Sequence, residues 1–221
     1  MLRIASCLLL TLCVAAVRAD EPVPIDQEPM HRLKFQNAHV RFFDVALPAG
    51  YRSLTHIHQF DGVFVNIEPS HTEAEDWGKP AVARSPRKPG ETYFIGYAAK
   101  PKVHRISNVG TGVYHVTDTE ILAGCDSAAA ADDAPAGPVI VENKRVRVTR
   151  IELQPGATAT LGGPCGMLVA VTGGTLQARS PGSTERIEFL PAGFQWREGS
   201  QPVVVENAGD EPFHAIDIVV R

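Results

Sequence analysis

Residues 40–47 read VRFFDVAL, and residues 145–153 read RVRVTRIEL. The second stretch alternates apolar and polar side chains almost strictly, the period-2 pattern of a half-buried β-strand. The first is its counterpart and runs into Pro48-Ala49-Gly50, a turn. A shift of 106 positions superposes the two: Asn37 meets Asn143, Val40 meets Val146, Arg41 meets Arg147, Leu47 meets Leu153 and Gly50 meets Gly156. Val63 and Val65 then meet Val169 and Val171 without a gap. Later in each half the shift becomes 99, bringing together Asn108 with Asn207, Gly110 with Gly209, His115 with His214 and Asp118 with Asp217. The same order of matches in both halves indicates a duplicated unit of about ninety residues.

Further short strands are predicted at GVFVNI (62–67), MLVAVTG (167–173), PVVVEN (202–207) and FHAIDIVV (213–220), while helical spacing is convincing nowhere beyond the first twenty residues. The 19 glycines and 17 prolines punctuate these runs. Many short strands with Gly/Pro turns predict an all-β chain of two tandem barrels, over residues 30–123 and 138–221. Residues 124–137, small and acidic, read as the linker between them.

The chain has 221 residues, 44% hydrophobic and 21% charged, with a formal net charge of -4. That balance gives no global attraction to nucleic acid or to an anionic membrane. A basic stretch from Lys79 to Lys102 reads as a solvated, proline-punctuated loop. Residues 1–19 carry Arg3, an apolar run from Ile4 to Val17, and Val17-Arg18-Ala19 ahead of Asp20, the pattern of a cleaved signal peptide. The expectation is an exported chain, periplasmic or extracellular, with no integral membrane segment once the leader is removed. Cys125 and Cys165 then remain, either as a disulfide in an oxidising compartment or as two buried thiols.

The candidate chemistry lies in THIHQFDG (55–62). Side chains at i and i+2 of a strand point the same way, so His56 and His58 can both face a barrel interior. Neutral imidazoles suit zinc, copper, iron or nickel, and a third histidine from a distant strand would complete a facial set. Gly50, His56 and His58, followed by His104, Asn108 and Gly110, resemble the two sequence motifs of the cupin superfamily, and the resemblance spans both halves. It implies a two-domain bicupin with a jelly-roll barrel in each half. It also implies one divalent transition metal ion (Fe, Zn, Cu, Ni or Mn) on His56, His58 and His104. The family's glutamate, a few residues after the second histidine, is absent: Gly62 and Val63 stand there, with Asp61 and Glu68 nearby but off the motif. A three-histidine set without a carboxylate is known among thiol dioxygenases of the superfamily.

At the corresponding positions the second half has Gly162, Pro164 and Val203, so its barrel is expected to be degenerate and metal-free. His115 and His214 recur in both halves and are expected to serve the fold. Tyr93, Tyr97 and Tyr114 either line a pocket near His104 or are packing residues. His71, with Glu73, Glu75 and Asp76, is expected in a solvated acidic loop; His31 and His39 show no distinguishing context. The resulting expectation is a metal-dependent, dioxygenase-like oxidoreductase acting on a small organic molecule. The competing one is a non-catalytic small-molecule-binding or structural bicupin, with homodimerisation through the second barrel open in either case.

Overall fold

A computed structural model describes residues 21–125, 135–163, 165–199 and 201–221. The expected leader (1–19) and most of the expected linker lie outside these residues. The first half contains β1 (Val23–Pro24), β2 (His31–Gln36), β3 (Val40–Leu47), β4 (His56–His58), β5 (Asp61–Glu68), β6 (Thr72–Asp76), β7 (Val82–Arg84), β8 (Thr92–Ile95), β9 (Lys102–Asn108) and β10 (Tyr114–Ile121). The second contains β11 (Val139–Glu142), β12 (Val146–Leu153), β13 (Thr158–Leu161), β14 (Cys165–Ala170), β15 (Gly174–Ser180), β16 (Ser183–Phe189), β17 (Phe194–Glu198), β18 (Val203–Asn207) and β19 (Phe213–Val220). A single 3-10 turn, Ile25–Gln27, is the only helical element among the described residues.

The duplication seen in the sequence is a duplication of sheets. One sheet of the first half runs β2-β3-β10-β5-β8, and its twin runs β11-β12-β19-β14-β17. The other runs β1-β4-β9-β6-β7, against β13-β18-β15-β16. The matched asparagines explain why the repeat persisted in those residues. Asn108 donates its side-chain amide to the carbonyls of Leu47 and Gly112, both at 2.8 Å, and accepts Gly110 N–H at 3.1 Å. Asn207 does the same with Leu153 at 2.9 Å, Glu211 at 2.8 Å and Gly209 at 3.0 Å. Asn37 and Asn143 accept the backbone N–H groups that open β3 and β12. Asn108 and Asn207 are buried and Asn37 and Asn143 half-buried, and no apolar residue could replace any of them without leaving main-chain groups unpaired. Gly50 and Gly156 adopt φ of 75° and 76°, the left-handed conformation needed at the third position of the turn after β3 and β12.

The expected half-buried character of RVRVTRIEL is not what the structure shows. Along β12, Ile151 and Leu153 face their own barrel, while Val146 and Val148 face the other half, and all four are buried. The same parity holds in β3, where Phe43, Val45 and Leu47 point into the first barrel and Val40 and Phe42 point out of it. The two five-stranded sheets stack through these outer faces. Val63, Val65 and Ile121 of the first half and Met167, Ile216 and Ile218 of the second share one core. Period-2 reading cannot tell a solvent face from a second buried face when polar residues are retained as ladder or ion-pair partners.

Two other expectations change. Glu73, Glu75 and Asp76 belong to strand β6 rather than a loop, with Glu75 paired to both Arg52 and Arg105 at 2.6 Å. Residues 23–28, upstream of the expected start at 30, are integral to the first half: β1 pairs with β4, and Ile25 is buried in the barrel core. Cys125 and Cys165 are joined as a disulfide, Cα atoms 6.2 Å apart, tying the end of the first half to β14.

Phe42 is fully buried between the halves. Phe42→Ala is expected to lower stability by about 3–5 kcal/mol in urea unfolding, whereas exposed Leu33→Ala should change it by less than about 0.5 kcal/mol. Reducing the Cys125–Cys165 link, which closes 40 residues, is expected to cost about 4 kcal/mol in the same measurement.

Candidate metal centre

The site is built where β4 lies between β1 and β9. His56 and His58 sit at alternate positions of a three-residue strand and are 0% and 3% exposed, with Ile57 between them pointing away. β9 runs antiparallel to β4 in a register that sets His104 directly across from His56. The three histidines expected from the motif are thereby brought together. Ring centroids of His56 and His104 are 4.7 Å apart and those of His58 and His104 are 5.1 Å apart. The Nε2 atoms of His58 and His104 lie 3.2 Å from one another.

A fourth imidazole joins them that the sequence did not single out. His31, the first residue of β2, is buried and places its ring centroid 4.4 Å from that of His56. Ring nitrogens of His31, His56 and His58 all fall within 4.8 Å of one another. The residues just upstream deliver it: Glu28 is 1% exposed and accepts the N–H groups of Met30 at 2.8 Å and His31 at 3.0 Å. It also binds His31 Nδ1 at 2.6 Å and accepts the Tyr51 hydroxyl at 2.9 Å. The sequence signal was available in Glu28-x-x-His31, but a spacing of three without a helix carries no expectation by itself.

These contacts decide which nitrogens face the centre. Leu54 offers a carbonyl, which can only accept, at 2.9 Å from His56 Nδ1, so that nitrogen carries the proton and Nε2 carries the lone pair. His56 Nε2 is buried with no hydrogen-bond partner. Glu28 holds His31 by Nδ1 in the same way, whereas His58 Nδ1, 3.5 Å from Asp118 Oδ2, makes no hydrogen bond. Acceptors behind the ring are the usual means of aiming imidazole lone pairs at one point. Burial holds His56 down to about 3 and His58 to about 4, and it drives His104 well below the ordinary histidine value; neighbouring histidines add to the effect at His56 and His104. All three are therefore neutral donors at physiological pH. Buried neutral imidazoles with an orphaned lone pair fit a divalent transition ion, which His31, His56, His58 and His104 could hold.

The missing glutamate has a physical account. A Cβ at Gly62 would come within 2.8 Å of Asp118 Oδ1 and 3.0 Å of the Phe64 ring, so a side chain there would require Asp118 or Phe64 to shift. The carboxylates come instead from β10, whose barrel-facing positions carry Asp118 and Glu120, 1% and 0% exposed. Burial pushes both carboxyls up, and for Glu120 the nearby Asp118 adds to the rise. Arg41 binds Glu120 through Nε at 2.7 Å, while both oxygens of Asp118 are without a hydrogen-bond partner. In the second half the matching Asp217 is neutralised by Arg197 at 2.5 and 3.0 Å, Glu120 becomes Val219, and His31 becomes Gly137. The second barrel lacks the histidines and Glu120 while keeping the scaffold and one acid, Asp217.

A cavity of about 70 Å³ opens beside the histidines. Tyr93, Tyr97 and Tyr114 all line it, and Tyr97 stacks on His58 with centroids 4.8 Å apart. The remaining histidines lie elsewhere: His115 pairs with Asp44 at 2.6 Å, His214 packs on Gly90, His39 stacks on Trp196, and His71 is exposed. Asp61 is engaged by Ala98 N–H at 2.9 Å and Glu68 is exposed, so neither joins the site.

Glu28 supplies a pH test of how His31 is held. Burial works to raise its carboxyl, but the hydrogen bond and charge of His31, with the Tyr51 and Met30 donors, hold it at about 2 against an ordinary 4.5. Its contribution, on the order of 3 kcal/mol, is present above pH 4.5 and lost as pH falls toward 2. In chelator-treated protein, the stability difference between wild type and Glu28→Gln is therefore expected to shrink across that window, as followed by urea unfolding at stepped pH.

No protein-family model matches the sequence, and no curated protein matches it significantly. Solved structures do match. YhaK from Escherichia coli superposes with a TM-score of 0.59 at 14% identity, covering 85% of this chain and 87% of that one. A cupin 2 conserved barrel domain protein from Leptotrichia buccalis gives 0.50 at 12% identity, covering 85% and 86%. Oxalate decarboxylase from Bacillus subtilis gives 0.55 at 11% identity, covering 83% of this chain and 69% of its own. The sheet order repeated between the two halves and these likenesses give the chain the cupin fold, two jelly-roll barrels in tandem with His56-x-His58 inside the first.

Proposed function

We propose that this chain is an exported, metal-dependent enzyme that carries out an oxidative, dioxygenase-like conversion of a small organic molecule in its first barrel. The observation that carries the reading is the convergence of four buried imidazoles beside a cavity, two of them, His31 and His56, with a hydrogen-bond acceptor behind Nδ1. In this reading His31, His56, His58 and His104 hold one divalent transition ion, which would supply Lewis acidity or a redox centre when bound. The protein's own part is placement and exclusion. Glu28 and Leu54 orient two of the rings, Tyr97 covers His58, and Arg41 fixes Glu120 on the barrel wall.

A non-catalytic binder would need the cavity without the ion, so metal content decides first. Protein with its leader removed and no metal-binding tag should carry about one equivalent of a transition metal, lost in His56→Ala and His104→Ala. His31→Ala should lose affinity by about 10–100-fold, in keeping with a ligand or its orienting contact. Less than about a tenth of an equivalent in wild type would overturn the metalloprotein reading. Oxygen uptake by the loaded protein against a panel of small organic molecules then separates catalyst from binder.

Export rests on the leader-like residues 1–19 and is supported by the Cys125–Cys165 link, which suits an oxidising compartment. Intact mass of protein recovered from the exported fraction should correspond to a chain beginning at Asp20; a chain retaining Met1 would count against it.

A further inference from the structure

The basic stretch that reads as a solvated loop wraps the mouth of the cavity. It contributes β7 and β8, and two of its cations, Arg84 and Lys102, line the same cavity as the histidines. Its other charges are largely accounted for. Arg87 pairs with Glu91, and Lys79 and Lys102 share Asp76 at 3.6 and 2.7 Å. Arg84 has no ion pair or side-chain hydrogen bond among the described residues, although it stands at a concave site rather than on an open face.

We propose that this cavity takes a small carboxylate, its anionic end gripped by the Arg84 guanidinium and by the hydroxyls of Tyr93, Tyr97 and Tyr114. The proposal rests on the reading of the first barrel as a small-molecule site and names the class of molecule. A guanidinium presents a fork of N–H donors matched to the two oxygens of a carboxylate. Tyr93, Tyr97 and Tyr114 all lie on the cavity lining, and a phenolic hydroxyl, protonated at neutral pH, can donate to an anion there. Asp118 is the one acid on the cavity wall, against the two cations Arg84 and Lys102. The volume, about 70 Å³, is that of two to three waters in the liquid, enough for a group the size of acetate. Outside it, a cleft of about 470 Å³ shares Ile95, Tyr97 and Lys102 with the cavity and adds Lys79, Lys100 and Asp76; three lysines against one carboxylate leave the entrance net positive. The geometry orients the ligand, with its carboxylate on Arg84 and its other end toward the imidazoles.

Isothermal titration of the leader-free protein with acetate and with its neutral isostere acetamide, at fixed ionic strength, tests this. Acetate is expected to bind at least about tenfold more tightly than acetamide, and Arg84→Gln to weaken acetate by about 10–100-fold without changing metal content. Arg84→Lys should recover part of that loss, because charge returns without the fork. Because Arg84 is exposed on a three-residue strand, its substitution leaves the core intact, which a thermal melt verifies. Equal binding of acetate and acetamide would overturn the proposal. Acetate binding untouched by Arg84→Gln, as when the ion alone holds the carboxylate, would also overturn it. Running the titrations before and after chelation separates the two readings. Arg84-dependent acetate binding in a wild type that holds no metal would sink the metal reading and leave this one. Metal bound without any Arg84 dependence would do the reverse.

Discussion

The strand that everything else is referred to is β10, because it is committed on both faces. Its outward residues, among them Ile121, lie against the core shared with the second half, while its inward residues Val116, Asp118 and Glu120 form a wall of the first barrel. It pairs along its full length with β3 and, across one bulge, with β5. A register slip of one residue would exchange the two faces, driving two carboxyls into the apolar interface and removing them from the histidines. The stacking of the halves therefore does more than add stability. It locks the register that places acids inside the barrel.

That constraint gives the second barrel a role that requires no chemistry of its own. Its sheet β11-β12-β19-β14-β17 covers a surface on the first barrel that would otherwise be a broad apolar face. The contacts that recur in both halves are those that close turns and open strands: Asn108 and Asn207, Asn37 and Asn143, Gly50 and Gly156. The contacts that do not recur are the four histidines and Glu120, and the one acid kept, Asp217, is tied off by Arg197. Scaffold and site have thus been separated by the duplication itself.

The first barrel is correspondingly polar inside. Four imidazoles, two raised carboxyls and three tyrosines occupy space that the second barrel fills with residues such as Leu168, Leu176 and Phe213. Buried polar groups left without partners are costly, and here His56 Nε2 and both oxygens of Asp118 are in that position.

Much of this was legible along the chain. Period-2 runs, turn residues and two constant offsets were enough for an all-β duplicated fold, because strand alternation and turn chemistry are local properties. The i, i+2 spacing put His56 and His58 on one face for the same reason, and the motif likeness indicated His104. What only the tertiary structure decided is whatever depends on which strands are neighbours. His31 enters the site because β2 reaches it across the barrel; Asp118 and Glu120 enter because β10 lies beside the position where Gly62 has no side chain. The second buried face of β3 and β12 follows from packing between sheets, and the place of Arg84 on the cavity lining from the pairing of β7 with β6. Local rules determine which way a side chain points from its own strand; what it then meets is set by residues a hundred positions away.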